Sequence, residues 1–373
     1  MSGMTDDVRA MALALQLAER GLYTTDPNPR VGCVIVKDGK RVGEGWHERA
    51  GEAHAEVHAL RAAGSAARGA TAYVTLEPCC HHGRTPPCTD ALIGAGIVRV
   101  VAAMPDPNPL VSGRGLDTLR RAGIVVDAGL MQTEAQALNP GFVRRMRDGR
   151  PFVRLKLAAS LDGRTAMASG ESKWITGGAA RADVQRLRAR SSAILTGIGT
   201  VREDDPSLTV RAFDIGRQPL RVVVDSDLSI APTARVLAPP GSALVVGAAG
   251  DGTRAGRLRQ TGAEVQCLPR PDGKVDLAAL MASLAARGMN EVLVEAGPTL
   301  SGALLAAGLV DELVIYFAPH LMGAQARGMF AVPGLERMQD RLALEVRDVR
   351  AVGDDWRVVA RVRTGGTPPD AAG

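Results

Sequence analysis

Three short stretches carry residues that could hold a metal ion and move a proton: His54-Ala55-Glu56, Glu77-Pro78-Cys79 and, at the end of CHHGRTPPC, Cys88. One imidazole and two thiolates make a tetrahedral Zn2+ site whose fourth position stays open. Zinc acidifies a water in such a position toward a pKa of about 7, so that a nucleophile forms at neutral pH. Its natural target is an amidine-like ring carbon. Departing ammonia needs a proton, so a carboxylate must stand beside the metal without ligating it. Glu56, two residues past His54, is suited to that role.

The order and spacing, with eight residues between Cys79 and Cys88, follow the H-x-E and P-C pattern of zinc nucleobase deaminases, in which the Glu is the general acid/base. An H-x-E alone means little, since such pairs are common. His58 stands four residues after His54 and reads as helix surface. Cys80, His81 and His82 are alternatives to Cys79 as ligand, although Pro78 at a strand end favours Cys79. A closed structural zinc would need a fourth protein ligand and would leave Glu56 idle. Cys33, in VGCVIV, reads as a core residue.

The remaining composition narrows the classes. A chain of 373 residues suggests two domains. Aromatics are only 3%, which argues against single-stranded nucleic acid bound by base stacking. A net charge of +5 is mild and suits an anionic small substrate. Five cysteines, three of them between Cys79 and Cys88, look like a metal site in a reducing compartment rather than a disulfide scaffold. The opening MSGMTDDVRA lacks the apolar core of a secretory signal, and no apolar run reaches the roughly 18 residues of a membrane span. A cytoplasmic protein without a membrane partner is expected.

Periodicity supplies the elements that must position these groups. Helices are expected over 8–20, 51–63 (closed by Gly64), a short stretch opened by Thr89 as N-cap, and 116–122. Strands are expected over 31–36, 41–46 (across an Asp38-Gly39 turn), 72–76, 97–103 and 124–126. The stretch NPGFVRRMRDGRP, 139–151, reads as a boundary, its Pro and Gly residues flanking basic ones. A second alternation follows, with strands near 153–159, 193–196, 220–225, 243–246, 264–268, 291–295 and 313–317, and helices near 178–190, 252–260, 277–287 and 299–307. Alternating strands and helices predict an α/β layer fold. The domains are expected at 1–148 and 149–366, followed by a disordered tail, 367–373.

The combined motifs resemble the bifunctional riboflavin-biosynthesis enzymes, a pyrimidine deaminase fused to a pyrimidine reductase. The matching stretches are DPNPRVGCVIVKDG, HAEVHAL and YVTLEPCCHHGRTPPC in the first half. In the second they are LKLAASLDGRTA, ESKWITG, LTGIGTVREDDPSLTVR and VEAGPTLSGALL. The resemblance implies a cytidine-deaminase-like N-terminal domain and a dihydrofolate-reductase-like C-terminal domain that uses NADPH. It implies hydrolytic deamination of 2,5-diamino-6-ribosylamino-4(3H)-pyrimidinone 5′-phosphate, then reduction of the ribosyl group of the uracil product to ribityl. His54, Cys79 and Cys88 match the zinc ligands and Glu56 the proton shuttle. Asn28, His47, His81 and Arg84 match contacts to the first substrate.

In the second domain Ala158, Trp174, Thr200, Asp204, Ser226 and the run Gly297, Pro298, Thr299, Leu300, Ser301, Gly302, Ala303 match cofactor positions. Lys156, Ser172, Arg188, Leu208, Arg211 and Glu295 match substrate positions. Arg188 and Arg211 are suited to a phosphate. Lys156 stands in the apolar strand VRLKLAAS, where a charge should be paired or functional, and Asp204 is a candidate partner. No G-x-G-x-x-G follows a strand. Instead EVLVE leads through Ala296-Gly297-Pro298-Thr299 into a helix, whose free N–H groups suit a phosphate. Symmetric homo-oligomers are common for enzymes of this kind and one is expected here. The competing reading is a nucleic-acid base deaminase with an accessory domain; the long Cys79–Cys88 loop, few aromatics and mild charge oppose it.

Overall fold

A computed structural model describes residues 2–81, 86–109, 111–250 and 252–363. It divides into two compact units, Met1–Arg150 and Pro151–Gly373. The expected tail, 367–373, lies outside the described residues.

In the first unit the strands order as Lys40–Trp46, Gly32–Lys37, Thr71–Val74, Arg99–Ala102 and Val125–Ala128. The first three run antiparallel and the last two join in parallel. Asp38 and Gly39 both take positive φ, 50° and 71°, the type I′ turn that joins right-twisted strands. Helix Ser2–Glu19 covers one face of the sheet, and helix Ala55–Ala63 covers the other. The second helix lies against strand Lys40–Trp46 because two positions there carry no side chain. A Cβ on Gly43 would sit 2.3 Å from the Ala59 carbonyl oxygen, and one on Gly45 2.6 Å from the Ala59 nitrogen. That close approach sets the height of His54 and Glu56 over the sheet.

The division between the units falls within the stretch 139–151, most of which is helical. Pro140–Asp148 is a helix with Pro140 in its first turn and Gly149 left-handed at its end, φ 65°. These Pro and Gly residues are start and stop signals. Asn139 is buried and pairs with both backbone groups of Arg30, accepting from its N–H at 2.8 Å and donating to its carbonyl at 2.9 Å. The helix thereby ties back to the loop that bears Asn28. Thr89 is not the N-cap of its helix: Cys88–Gly94 starts from Pro87. Cys88 itself opens the first turn because its N–H is taken by Cys79 Sγ.

The second unit is built on a nine-stranded sheet ordered Glu264–Cys267, Ala243–Gly247, Leu220–Val224, Ala193–Gly197, Glu291–Val294, Phe152–Ser160, Glu312–Ala318, Asp355–Val362 and Leu344–Val352. The first seven are parallel, and all but the edge strand Glu264–Cys267 are largely buried on both faces, which explains their continuous apolar runs. The last two form a hairpin absent from the expected elements. Its alternation of Val with Arg and Asp leaves one face outside the core, so its pattern is diluted. Arg154, fully buried on the central strand, bonds Glu291 at 2.9 Å and also Glu312, and Arg190 reaches Glu291 at 3.1 Å. This ionic row locks three neighbouring strands in register. The chain leaves Phe152–Ser160, fills one side of the sheet, then inserts Glu291–Val294 beside it. That reversal opens a crevice at the strands' carboxyl ends, where α/β sheets bind ligands.

Gly45→Ala should lower stability by about 2–3 kcal/mol through overpacking. It should also reduce metal retention by lifting the Ala55–Ala63 helix. Chemical denaturation and metal content of the purified variant check this; a native-like midpoint would mean that the helix can slide.

Candidate active sites

The first site is built at the starts of two helices. His54 is the N-cap of Ala55–Ala63, and Cys88 is the first residue of Cys88–Gly94. Between them stands Cys79, just beyond strand Thr71–Val74. His54 Nδ1 lies 3.5 Å from Cys79 Sγ and 3.3 Å from Cys88 Sγ, and the three donors fall within 4.8 Å of one another. A tetrahedral zinc with the usual bond lengths needs an N-to-S edge of about 3.6 Å, so the triad fits the ion without rearrangement. Cys79 Sγ accepts from the Cys88 N–H at 3.3 Å. The Cys88 thiol, then His54 and that N–H, push the Cys79 thiol down to about 4, the thiolate a metal requires. Cys80 supplies no donor to this cluster, and burial raises its thiol. His58 is likewise outside it.

Glu56 sits in the first turn of the helix, only 3% exposed. Burial raises its carboxyl above the usual range, as suits a group that must both take and give a proton near neutrality. His47 is buried, not a surface residue. Its Nδ1 faces the Ala53 carbonyl and its Nε2 faces Asn28 Nδ2, each at 3.1 Å. Nδ1–H therefore donates and Nε2 accepts, and burial first keeps the ring neutral by lowering its pKa. The ring meets His54 edge-on, centroids 5.3 Å apart. Asn28 and His47 thus form one polar pair beside the ligand His54. His81 is exposed, and Arg84 lies outside the described residues.

Glu77 carries a role that the sequence does not announce. Its buried carboxylate accepts from four backbone N–H groups: Asp106 and Gly113 at 2.9 Å, Gly115 at 2.8 Å and Leu116 at 3.4 Å. It therefore ties the turn that bears Cys79 to the N-terminus of helix Arg114–Arg121, where a negative charge is favoured. Gly115 is required for this seat, since a Cβ would lie 2.1 Å from the Pro78 carbonyl.

The second site is a cavity of about 350 Å³ at the crevice of the nine-stranded sheet, and all six expected substrate positions line it: Lys156, Ser172, Arg188, Leu208, Arg211 and Glu295. Arg188 bonds Glu295 through Nε at 2.6 Å and Nη2 at 3.0 Å, and the Thr209 carbonyl through Nη1 at 3.2 Å. Its guanidinium is spent on Glu295, which leaves Arg211 as the freer cation for a phosphate. Lys156 does not pair with Asp204, whose cation is Lys173 at 3.4 Å. Burial lowers the Lys156 ammonium, offset in part by Glu295. Glu295 follows the strand that pairs directly with that of Lys156, whereas Asp204 ends a separate helix, Ile198–Asp204.

An adjoining cavity of about 610 Å³ shares Thr200, Glu203, Gly297, Pro298 and Arg327 with the first. Ala158, Trp174 and Asp204 face the smaller cavity, and Ser226, Thr299, Leu300 and Ala303 the larger. Trp174 is 74% exposed at the rim, with the Arg181 guanidinium 4.7 Å from its ring, so it is no core residue. Ser301 and Gly302 turn away from both cavities. Ser301 Oγ bonds the Ala296 carbonyl, and a Cβ on Gly302 would meet the Ala331 carbonyl oxygen at 2.1 Å. A run of consecutive helical residues cannot all face one ligand. Helix Pro298–Ala306 begins at this junction with Gly297 extended and its N–H bonded to Thr200 Oγ1 at 3.2 Å. Nothing crowds a ligand near Gly297, the nearest neighbour of a Cβ there being 3.9 Å away.

Comparison with known proteins places both units. Residues 4–104 match the cytidine and deoxycytidylate deaminase zinc-binding region, and residues 151–358 match the RibD C-terminal domain. The chain is 56% identical over 357 residues to the riboflavin biosynthesis protein RibD of Escherichia coli K12, covering 92% of this chain and 96% of that protein. A RibD structure from Acinetobacter baumannii superposes with a TM-score of 0.90 at 48% identity, covering 97% of this chain and all of the other. The Thermotoga maritima diaminohydroxyphosphoribosylaminopyrimidine deaminase/5-amino-6-(5-phosphoribosylamino)uracil reductase superposes at 0.84 with 34% identity, with the same coverage.

Glu77→Gln removes an acceptor from two N–H groups and should cost about 3 kcal/mol. The first unit should melt earlier and lose metal more readily, with the reductase unit's melting unchanged. Calorimetry of the two transitions decides; an unshifted first transition would show that the carboxylate is not what holds the turn.

Proposed function

Because the chain belongs to the RibD family, the bifunctional deaminase/reductases of riboflavin biosynthesis, we propose that its residues carry out the two steps named for the Thermotoga relative. Its first unit is a zinc-binding deaminase of cytidine-deaminase-like fold. Its second is an NADPH-dependent reductase of dihydrofolate-reductase-like fold. The observation that carries the assignment of residues is the His54–Cys79–Cys88 donor triangle with Glu56 buried at its flank.

His54, Cys79 and Cys88 would hold the zinc, which when bound supplies the Lewis acidity that makes water a nucleophile at neutral pH. Glu56 takes a proton from that water and delivers it to the pyrimidine ring nitrogen. The C–O bond would form with that first transfer; Glu56 would then carry the second proton to the amino group, and the C–N bond would break as ammonia departs. The Asn28–His47 pair presents a fixed polar edge to the ring, and His81 and Arg84 belong to the same substrate-binding set. The substrate is 2,5-diamino-6-ribosylamino-4(3H)-pyrimidinone 5′-phosphate.

In the second unit the deaminated product occupies the cavity around Lys156, Ser172, Leu208 and Glu295, with Arg211 toward its phosphate and Arg188 holding Glu295 in place. Gly297–Leu300, with Ala158, Trp174, Thr200, Asp204 and Ser226, would hold NADPH, which when bound supplies the hydride that, with a proton from solvent, turns ribosyl into ribityl. Among the described residues no helix is long and apolar enough to cross a membrane. Thiolate ligands require reduced cysteines, which supports a cytoplasmic setting. Val346, Val349 and Trp356 leave apolar surface exposed on the terminal hairpin, which supports a homo-oligomer.

Incubation with the diaminopyrimidinone ribosyl phosphate should release ammonia and consume NADPH, the second signal depending on the first. Glu56→Gln should lower ammonia release by about 10²–10⁴-fold with zinc content intact. It should leave NADPH oxidation of the deaminated substrate at its normal rate. Deamination surviving in this variant would remove Glu56 from the proton path.

A further inference from the structure

The larger cavity holds cations that neither catalytic step uses. Its inner end is the junction at Gly297 and Pro298, where the start of helix Pro298–Ala306 presents N–H groups to a diphosphate. From that junction the smaller cavity leads to Lys156 and Glu295, so the cofactor's reacting ring lies that way and its adenosine lies the other. Val224, Val275 and Leu277 line the larger cavity with apolar surface that suits a purine.

The end of strand Leu220–Val224 decides how the adenosine ribose is read. An enzyme built for a bare ribose diol places a carboxylate at such a strand end, whereas one built for a 2′-phosphate supplies a cation nearby. Here the acid in that place, Asp225, is buried and turned inward: Oδ1 accepts from Ser229 Oγ at 2.9 Å and Oδ2 from the Ile230 N–H at 2.7 Å. Ser226 follows with a neutral hydroxyl at the cavity wall. Around it stand Arg202, whose Nη2 reaches Ser229 Oγ at 2.7 Å, and the turn Arg270–Lys274, closed by the Arg270 N–H on the Lys274 carbonyl at 2.8 Å. Two acids also face this end. Asp272 holds Arg270 at 3.2 Å as an exposed pair, and Asp227 is exposed. A surface pair of this kind is weak, and a dianionic phosphate can compete with it.

We propose that Arg202 and Lys274, with Arg270 on the same turn, form the subsite for the 2′-phosphate of NADPH and so set the preference for NADPH over NADH. The proposal rests on the reading of this crevice as the cofactor site, and the test separates the two. Titration calorimetry of the full chain with adenosine 2′,5′-bisphosphate and with 5′-AMP uses probes that differ only in the 2′-phosphate. The native chain should bind the bisphosphate at least about 30-fold more tightly, a charge-assisted contact being worth about tenfold or more. The double variant Arg202→Ala/Lys274→Ala should bring the two probes within about threefold by losing affinity for the bisphosphate. The ratio of kcat/KM with NADPH to that with NADH should fall in parallel, and Lys274→Arg should retain most of it. A double variant that still prefers the bisphosphate as the native chain does would overturn the assignment while leaving the cofactor reading intact. A native chain that binds neither nucleotide would sink both.

Discussion

Two sulfur anions and a carboxylate cannot be buried together unless something nearby answers their charge, and the deaminase unit is organised around that constraint. A metal held by His54, Cys79 and Cys88 would supply most of the answer, and the fold supplies the rest. Cys88 opens one helix and His54 caps another, so the positive ends of both dipoles face the donors. The Cys88 N–H lies directly on Cys79 Sγ. Glu77 places a further negative charge within the same turn and answers it with four backbone donors, two from the segment leading into helix Arg114–Arg121 and two from that helix's first turn. Without that arrangement the Glu-Pro-Cys turn would add a charge that nothing balances.

The glycines follow from the same demand. Gly43 and Gly45 bring the site helix onto its strand, and Gly115 lets helix Arg114–Arg121 seat against the Pro78 carbonyl. Each is a place where backbone must touch backbone so that donors and charges meet. Asn139 performs a comparable service at longer range, holding the loop of Asn28 by both backbone groups of Arg30. The Asn28–His47 pair thus depends on a helix more than a hundred residues away in sequence.

The reductase unit handles charge differently. Arg154 and its two carboxylates lie inside the sheet as a fully paired ionic row, which sets strand register. Toward the crevice the pairs are left less complete: Lys156 is half-buried against Glu295, which Arg188 already holds. Residual charge at a strand's carboxyl end is what a phosphorylated sugar and a nicotinamide cofactor can complete. The same chain therefore closes its ionic pairs where it needs shape and leaves them open where it needs a ligand.

Much of this was readable in the sequence where local chemistry is decisive. The H-x-E spacing, Pro78 before Cys79, the Asp38-Gly39 turn and the apolar strand runs each state their purpose within a few residues, because helix starts, tight turns and buried parallel strands impose short-range rules. Long-range pairing carries no such local mark. The helix Pro140–Asp148 read only as a boundary, because Pro and Gly punctuate helix ends and unit boundaries alike. Asp204 stood as a partner for Lys156 until the sheet put Glu295 across from it. Arg188 read as a phosphate ligand, although its fork is closed on that same Glu295. Ser301 and Gly302 match cofactor positions only through the family resemblance, and helix geometry turns them away from both cavities. Residue types, spacing and the two chemistries were determined by the sequence itself. Which charge meets which was decided only in the tertiary structure, since partners are chosen by strand order and helix phase, and these arise when distant segments bury their apolar faces together.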